Sequence, residues 1–138
     1  SSHVSARYKI TFGPNTEEQS SSGLIVSTTA GSTGWLSSVF NMAYGITGLF
    51  EKNLKPKHPR IKDNELLFAV REPFQSIRTQ TGITSGLITS KHILKIESLM
   101  PSNGVIFSDG IEADFLKFNS GSIATIGVAN ETANLVIK

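Results

Sequence analysis

Cysteine is absent from the 138-residue chain, which excludes a disulfide framework and any thiolate metal site. Long apolar runs are absent as well. The longest, Leu66 to Val70, falls far short of the ~20 residues that a membrane helix needs. No basic, then apolar, leader segment opens the sequence, so the cytoplasm is the expected compartment and no membrane partner is expected. Charge of one sign is scarce too. Thirteen Lys and Arg against eleven Asp and Glu leave a formal charge of +2, too weak a bias to point to nucleic acid.

Several catalytic signatures are also missing. No Lys follows the glycines of Gly31-Ser32-Thr33-Gly34 as a phosphate-binding P-loop requires, and G-x-G-x-x-G occurs nowhere. The G-x-S-x-G spacing of a nucleophile elbow is absent, and no acid-His pair stands out. His92, read as a strand residue with a half-buried ring, has no second His or carboxylate at ligand spacing, so no metal site is expected. His3 is given no role. Lys52 to Lys62 (KNLKPKHPRIK) holds five basic side chains and two prolines, but no interleaved aromatics for base stacking. It reads as a solvated, proline-broken loop.

What remains is rich in Gly, Ser and Thr, with 38% apolar and 17% charged residues, a composition suited to short strands joined by turns. A chain of this length fits one domain and buries roughly two-thirds of its unfolded surface. In Ala6 to Phe12, alternation puts Tyr8, Ile10 and Phe12 on one face of a strand that Gly13-Pro14-Asn15 ends. The polar run Glu17 to Ser22 (EEQSSS) reads as a loop. Glu65 to Val70 reads as a buried strand broken by Arg71-Glu72-Pro73, with Arg71, Glu72 and Arg78 as a surface ion cluster.

From Thr81 onward an antiparallel meander is expected. Its strands are Leu87 to Ser90, Ile93 to Leu99, Gly104 to Ser108, Ala113 to Phe118, Ser122 to Val128 and Ala133 to Ile137. Turns fall at Pro101 to Gly104, at Asp109-Gly110 and at Ser120-Gly121, the second being a tight hairpin signal. The expected fold is mainly β, a two-sheet, β-sandwich-like domain with one buried helix after the second strand.

That helix belongs to the stretch Gly23 to Ile46. Leu24 to Thr28 reads as a buried strand, Thr29 to Gly34 as a turn of hydroxyl and small residues, and the following residues as a helix. Trp35, Val39, Met42, Ile46 and Leu49 recur at 4-3-4-3 spacing, with Leu36, Phe40 and Ala43 beside them. Ser32 or Thr33 serves as N-cap, and Gly45 and Gly48 loosen the far end. A small-residue turn at a helix N-terminus lets a ligand approach unpaired amides; equally, its Ser and Thr can simply satisfy those amides.

Thr28-Thr29-Ala30-Gly31-Ser32-Thr33-Gly34-Trp35 resembles the T-P-T-G-S-T-A-Y signature of NAD kinases, and Gly23-Leu24-Ile25-Val26-Ser27 precedes it as in that family. Leu66 to Ser76 (LLFAVREPFQS) sits where the family has I-T-P-I-x-P-H-x-L, and Val105 to Gly110 (VIFSDG) is similar to its V-x-V-D-G hairpin. The likeness runs over nearly the whole chain and covers the family's C-terminal β domain only. Its N-terminal α/β domain, with a G-G-D-G-T loop, the catalytic aspartate and an Asn-Glu pair, has no counterpart in residues 1–138. The chain reads as an excised or cleaved domain.

The resemblance implies transfer of the γ-phosphoryl group of ATP, or of polyphosphate, with Mg2+, to the adenosine-ribose 2′-hydroxyl of NAD. Thr33, Gly34, Trp35 and Ser38 match family positions that contact NAD, through backbone groups, an aromatic face and a hydroxyl. Thr28, Gly31 and Ser32 shape the turn. Ser22 stands where many relatives carry an acid, and Pro73-Phe74 where they carry Pro-His. No catalytic or metal-binding residue is expected here, so this chain alone should be inactive. The implied partners are NAD or NADP, the N-terminal domain and further copies in a homo-oligomer. Two alternatives stand beside this: a lipid or sphingoid-base kinase domain, and a non-catalytic nucleotide-binding regulatory domain, the latter motivated by departures at Ser22, Thr29, Ala30, Gly34 and Phe74.

Overall fold

The computed structural model describes residues 5–28, 49, 62–107, 115–129 and 132–136. Ten strands run through them: β1 Ala6–Phe12, β2 Asn15–Ser21, β3 Gly23–Ser27, β4 Leu66–Arg71, β5 Ser85–Ile88, β6 Leu94–Ser98, β7 Val105–Phe107, β8 Phe115–Lys117, β9 Ile123–Ala129 and β10 Thr132–Val136. They form a five-stranded sheet in the order β10-β9-β6-β1-β2, a three-stranded sheet β3-β4-β5, and a two-stranded pair β7-β8. Among the described residues these strands pair antiparallel throughout. The protein is therefore mainly β, as its composition leads one to expect.

The core lies where the two larger sheets turn apolar side chains toward each other. Tyr8 and Ile10 of β1, Leu94 and Ile96 of β6, and Ala124 and Ile126 of β9 join Leu66 and Phe68 of β4 and Ile88 of β5 in one cluster. Period-two alternation in β1, β6 and β9 gives one apolar and one polar face, as a strand half open to water requires. On the polar face Lys9 lies across from Glu18 on one side and from Glu97 on the other. β4 differs. Its Leu66, Leu67, Phe68 and Ala69 are all buried, so both faces of this strand are covered, which accounts for its unbroken apolar run.

Two expectations need correction. Glu17 to Ser22 is not a loop: residues up to Ser21 form β2, paired with β1 through a two-residue turn between Phe12 and Asn15. Gly13 at φ 60° supplies the positive angle such a turn needs. The chain from Thr81 is not a sequential meander either, because β5 pairs with β4, β6 with β1 and β9, and β7 with β8. Strand pairing is decided by partners far along the chain, to which local periodicity is blind. β7 and β8 pair from Phe107 with Phe115 onward, and the expected turn at Asp109-Gly110 lies outside the described residues.

The expected helix falls outside the described residues, and so does the basic loop, except for Leu49 and Lys62 respectively. Leu49, expected in the buried stripe, is instead 78% exposed. Among the described residues no helix is long and apolar enough to cross a membrane.

Candidate functional site

β3 and β4 pair with Gly23 across from Arg71, and the same register carries one step further to set Ser22 beside Glu72. The Ser22 amide donates to the Arg71 carbonyl at 2.9 Å. Its hydroxyl donates to Glu72 Oε2 at 3.2 Å. Both residues are exposed. Glu72 has φ 48°, a left-handed angle unusual for a residue with a Cβ, and it directly precedes Pro73, which further narrows its backbone choices. Such geometry persists only where the surroundings impose it. Here the fixed β3–β4 register does so, and holds a carboxylate against the residue that opens β3.

Next to this pair lies a row of buried polar side chains. Glu17, Gln19 and Ser21 all point inward from β2, and Gln19 is 0% exposed. Their polar ends bond backbone groups and the Tyr8 hydroxyl. The Glu17 carboxylate accepts the amide of Gly82 at 3.1 Å and that of Ile83. Gln19 Nε2 donates to the Ile83 carbonyl at 2.6 Å, while its Oε1 accepts from the Tyr8 hydroxyl at 2.9 Å. Tyr8 also lies 2.7 Å from Ser21 Oγ. Burial pushes the Tyr8 phenol above its ordinary value; the Ser21 bond pulls it down, and the Glu17 charge adds to the rise. Among the described residues every buried side-chain nitrogen and oxygen has a hydrogen-bond partner, so this row is a satisfied structural network.

The partner backbone belongs to residues 72–84, the long connection between β4 and β5. It lies along the outer edge of β2. Phe74 donates its amide to the Ser20 carbonyl at 2.8 Å, and Gln80 donates to the Glu18 carbonyl at 2.9 Å. The Phe74 side chain is 63% exposed, so an aromatic stands in solvent beside Ser20.

Of the sequence-predicted site residues, the structure describes Ser22 and Thr28. Gly31, Ser32, Thr33, Gly34, Trp35 and Ser38 lie outside the described residues. Thr28 follows β3 directly, half-buried, and its carbonyl accepts the Ser27 hydroxyl at 3.0 Å. His92 is corrected: it is exposed and closes a turn with Thr89 between β5 and β6, their amides and carbonyls bonding reciprocally. The five-residue connection 89–93, polar from Thr89 to His92, turns the chain more readily than it extends a strand. Glu72 is the residue that sequence reasoning passed over as part of an ion cluster. Only its pairing with Ser22, fifty positions away, marks it. Among the described residues no group of three or more His, Asp or Glu could hold a metal ion.

No protein-family model matches this chain, and no curated protein matches it.

Proposed function

We propose that this chain is the substrate-binding, C-terminal domain of an NAD kinase-like enzyme, which phosphorylates the 2′-hydroxyl of NAD with ATP or polyphosphate as donor. The observation that supports this reading most is the setting of its signature. Gly23–Ser27 is a strand of an antiparallel sheet, and Thr28 emerges from its end, which is where a strand-to-turn ligand signature has to begin. Phosphoryl transfer depends on positioning and charge stabilisation, so a domain that only holds the acceptor contributes directly to rate.

In this reading Thr33, Gly34, Trp35 and Ser38 hold the nucleotide, with Thr28, Gly31 and Ser32 shaping the turn. Ser22 and Glu72 together present a hydroxyl and a carboxylate at the other end of β3, where Ser22 alone would lack the charge. Donor, Mg2+ and catalytic base belong to an N-terminal α/β domain, and the domain assembles as a homo-oligomer.

Trp35 is the single tryptophan of the chain, so its indole N–H gives one unambiguous nuclear resonance. Titration with NAD should move that resonance saturably, while a sphingoid base or diacylglycerol leaves it unmoved. An unmoved indole at millimolar NAD overturns the reading, and movement by the lipid alone transfers it to the lipid-kinase branch. NADP formation by this chain alone at an enzyme-like rate would contradict the division of labour.

A further inference from the structure

We propose that residues 72–84 form a hinged strap, latched shut by Glu17, that swings off the edge of β2 as one unit while both large sheets stay folded. The strap is internally tied. The Ser76 amide donates to the Thr79 carbonyl at 3.0 Å, and the two hydroxyls lie 2.8 Å apart. The Thr79 hydroxyl donates to the Phe74 carbonyl at 2.7 Å, and Thr79 is buried although it sits on a surface connection. These bonds stay within the strap when it moves.

Its attachment to β2 is polar and narrow. Two backbone bonds, to Ser20 and Glu18, are joined by the Glu17 carboxylate on Gly82 and Ile83 and by Gln19 on the Ile83 carbonyl. Of the strap's own side chains only Ile83 enters the hydrophobic cluster. Phe74 and Ile77 stand in solvent, Ile77 at 106% exposure, so little apolar surface opposes opening. Segments held by few apolar contacts and by edge hydrogen bonds are the ones that open below the global unfolding free energy.

Both roots are defined. On one side Glu72 takes its left-handed angle, and on the other the Val70 amide donates to the Thr84 carbonyl at 2.8 Å, closing the β4–β5 ladder. Between them the strap's backbone bonds to β2, and its Ile83 side chain packs into the core. Shut, the strap covers the Glu18 and Ser20 carbonyls, part of an edge that would otherwise be open to pairing with another strand. Open, it bares them together with the Glu17 carboxylate.

Residue-level amide hydrogen exchange on the full chain tests this, in wild type and in Glu17→Gln and Glu17→Ala. In wild type the Phe74, Gln80, Gly82 and Ile83 amides should exchange at one shared rate, faster than the amides of β1 and β6. Glu17→Ala should speed all four together by roughly tenfold to a hundredfold, the scale of losing charge-assisted hydrogen bonds, and leave β1 and β6 unchanged. Glu17→Gln, which keeps the shape and one acceptor, should fall between. Unrelated rates among the four amides in wild type, or rates as slow as those of β1 and β6, overturn the strap as a unit. Acceleration of Gly82 and Ile83 alone in Glu17→Ala overturns Glu17 as its latch. Should Glu17→Ala fail to fold, the wild-type rates and Glu17→Gln still decide.

Discussion

Phe12 and Phe68 meet edge to face, ring centroids 4.8 Å apart and planes at 71°, and so join the end of β1 in the large sheet to the middle of β4 in the small one. Gly86 of β5 makes room for that contact. A Cβ there would come within 2.6 Å of the Phe68 ring and 2.7 Å of the Phe12 ring. Two aromatics from different sheets cannot both give way, so Gly86→Ala should lower stability by about 1–3 kcal/mol, the range for overpacking. Phe68→Ala, which empties a fully buried site, should cost about 3–5 kcal/mol. Urea midpoints check both, with the slope expected to stay constant.

Gly104 should be less tolerant still. A Cβ at this position runs into the backbone carbonyl of Phe118, whose amide donates to the Gly104 carbonyl at 2.7 Å. Its own amide donates to Asn119 Oδ1 at 2.9 Å. Backbone cannot swing aside as a ring can, so Gly104→Ala is expected to cost more than Gly86→Ala, about 3 kcal/mol or above. Thermal unfolding of the two variants side by side gives the ranking; equal melting temperatures would contradict it.

Stability at high pH should depend on Tyr8. Burial holds its phenol protonated to a higher pH than in the unfolded chain, where it ionises near 10.0. The folded state thus binds this proton more tightly, and the stabilisation is complete below pH ~10 and lost as pH rises through the folded value. Wild type should lose stability above pH ~10 more steeply than Tyr8→Phe, which has no proton to release there. At neutral pH wild type should be the more stable, because Tyr8→Phe leaves Gln19 Oε1 and Ser21 Oγ without their phenol partner, at about 1–3 kcal/mol. Denaturation curves at pH 7 and pH 11 test both halves.

Glu72 separates structural from ligand effects. Glycine adopts φ 48° without the Cβ penalty, so Glu72→Gly should leave stability unchanged or raise it by up to about 1 kcal/mol. If Glu72 supplies the carboxylate beside Ser22 that the proposed nucleotide site needs, the same variant should weaken the NAD-induced movement of the Trp35 resonance. Binding equal to wild type in a folded Glu72→Gly chain would remove Glu72 from the site.

Legibility in the sequence followed where side chains met side chains. β1, β4, β6 and β9 can be read from apolar spacing because their inward residues pack on other apolar residues. β2 cannot, because its inward residues are polar: Glu17 and Gln19 bond the strap's backbone, Ser21 bonds Gly23 and the Tyr8 phenol, and polar groups are the correct partners for amides and carbonyls. A buried polar face looks like a loop to any pattern built on hydrophobicity. His92 erred the other way: it stands directly before the apolar Ile93-Leu94 but belongs to the turn that precedes β6. The proposed ligand turn rests on a short signature in residues outside the described ones, whereas the neighbour of Ser22 depends on a register between strands that lie far apart in the chain.

β1, the first strand among the described residues, is an interior strand of the large sheet, flanked by β2 and by β6, whose residues come more than eighty positions later. During synthesis the β1–β2 hairpin therefore emerges with one side of its ladder vacant and stays so until Leu94–Ser98 leave the ribosome. Closing that long loop is slow, and the early hairpin is meanwhile a template for any strand at hand. Chains stalled before Leu94 should be the aggregation-prone species, and maturation speed should be governed by the arrival of β6 rather than by the hairpin that precedes it.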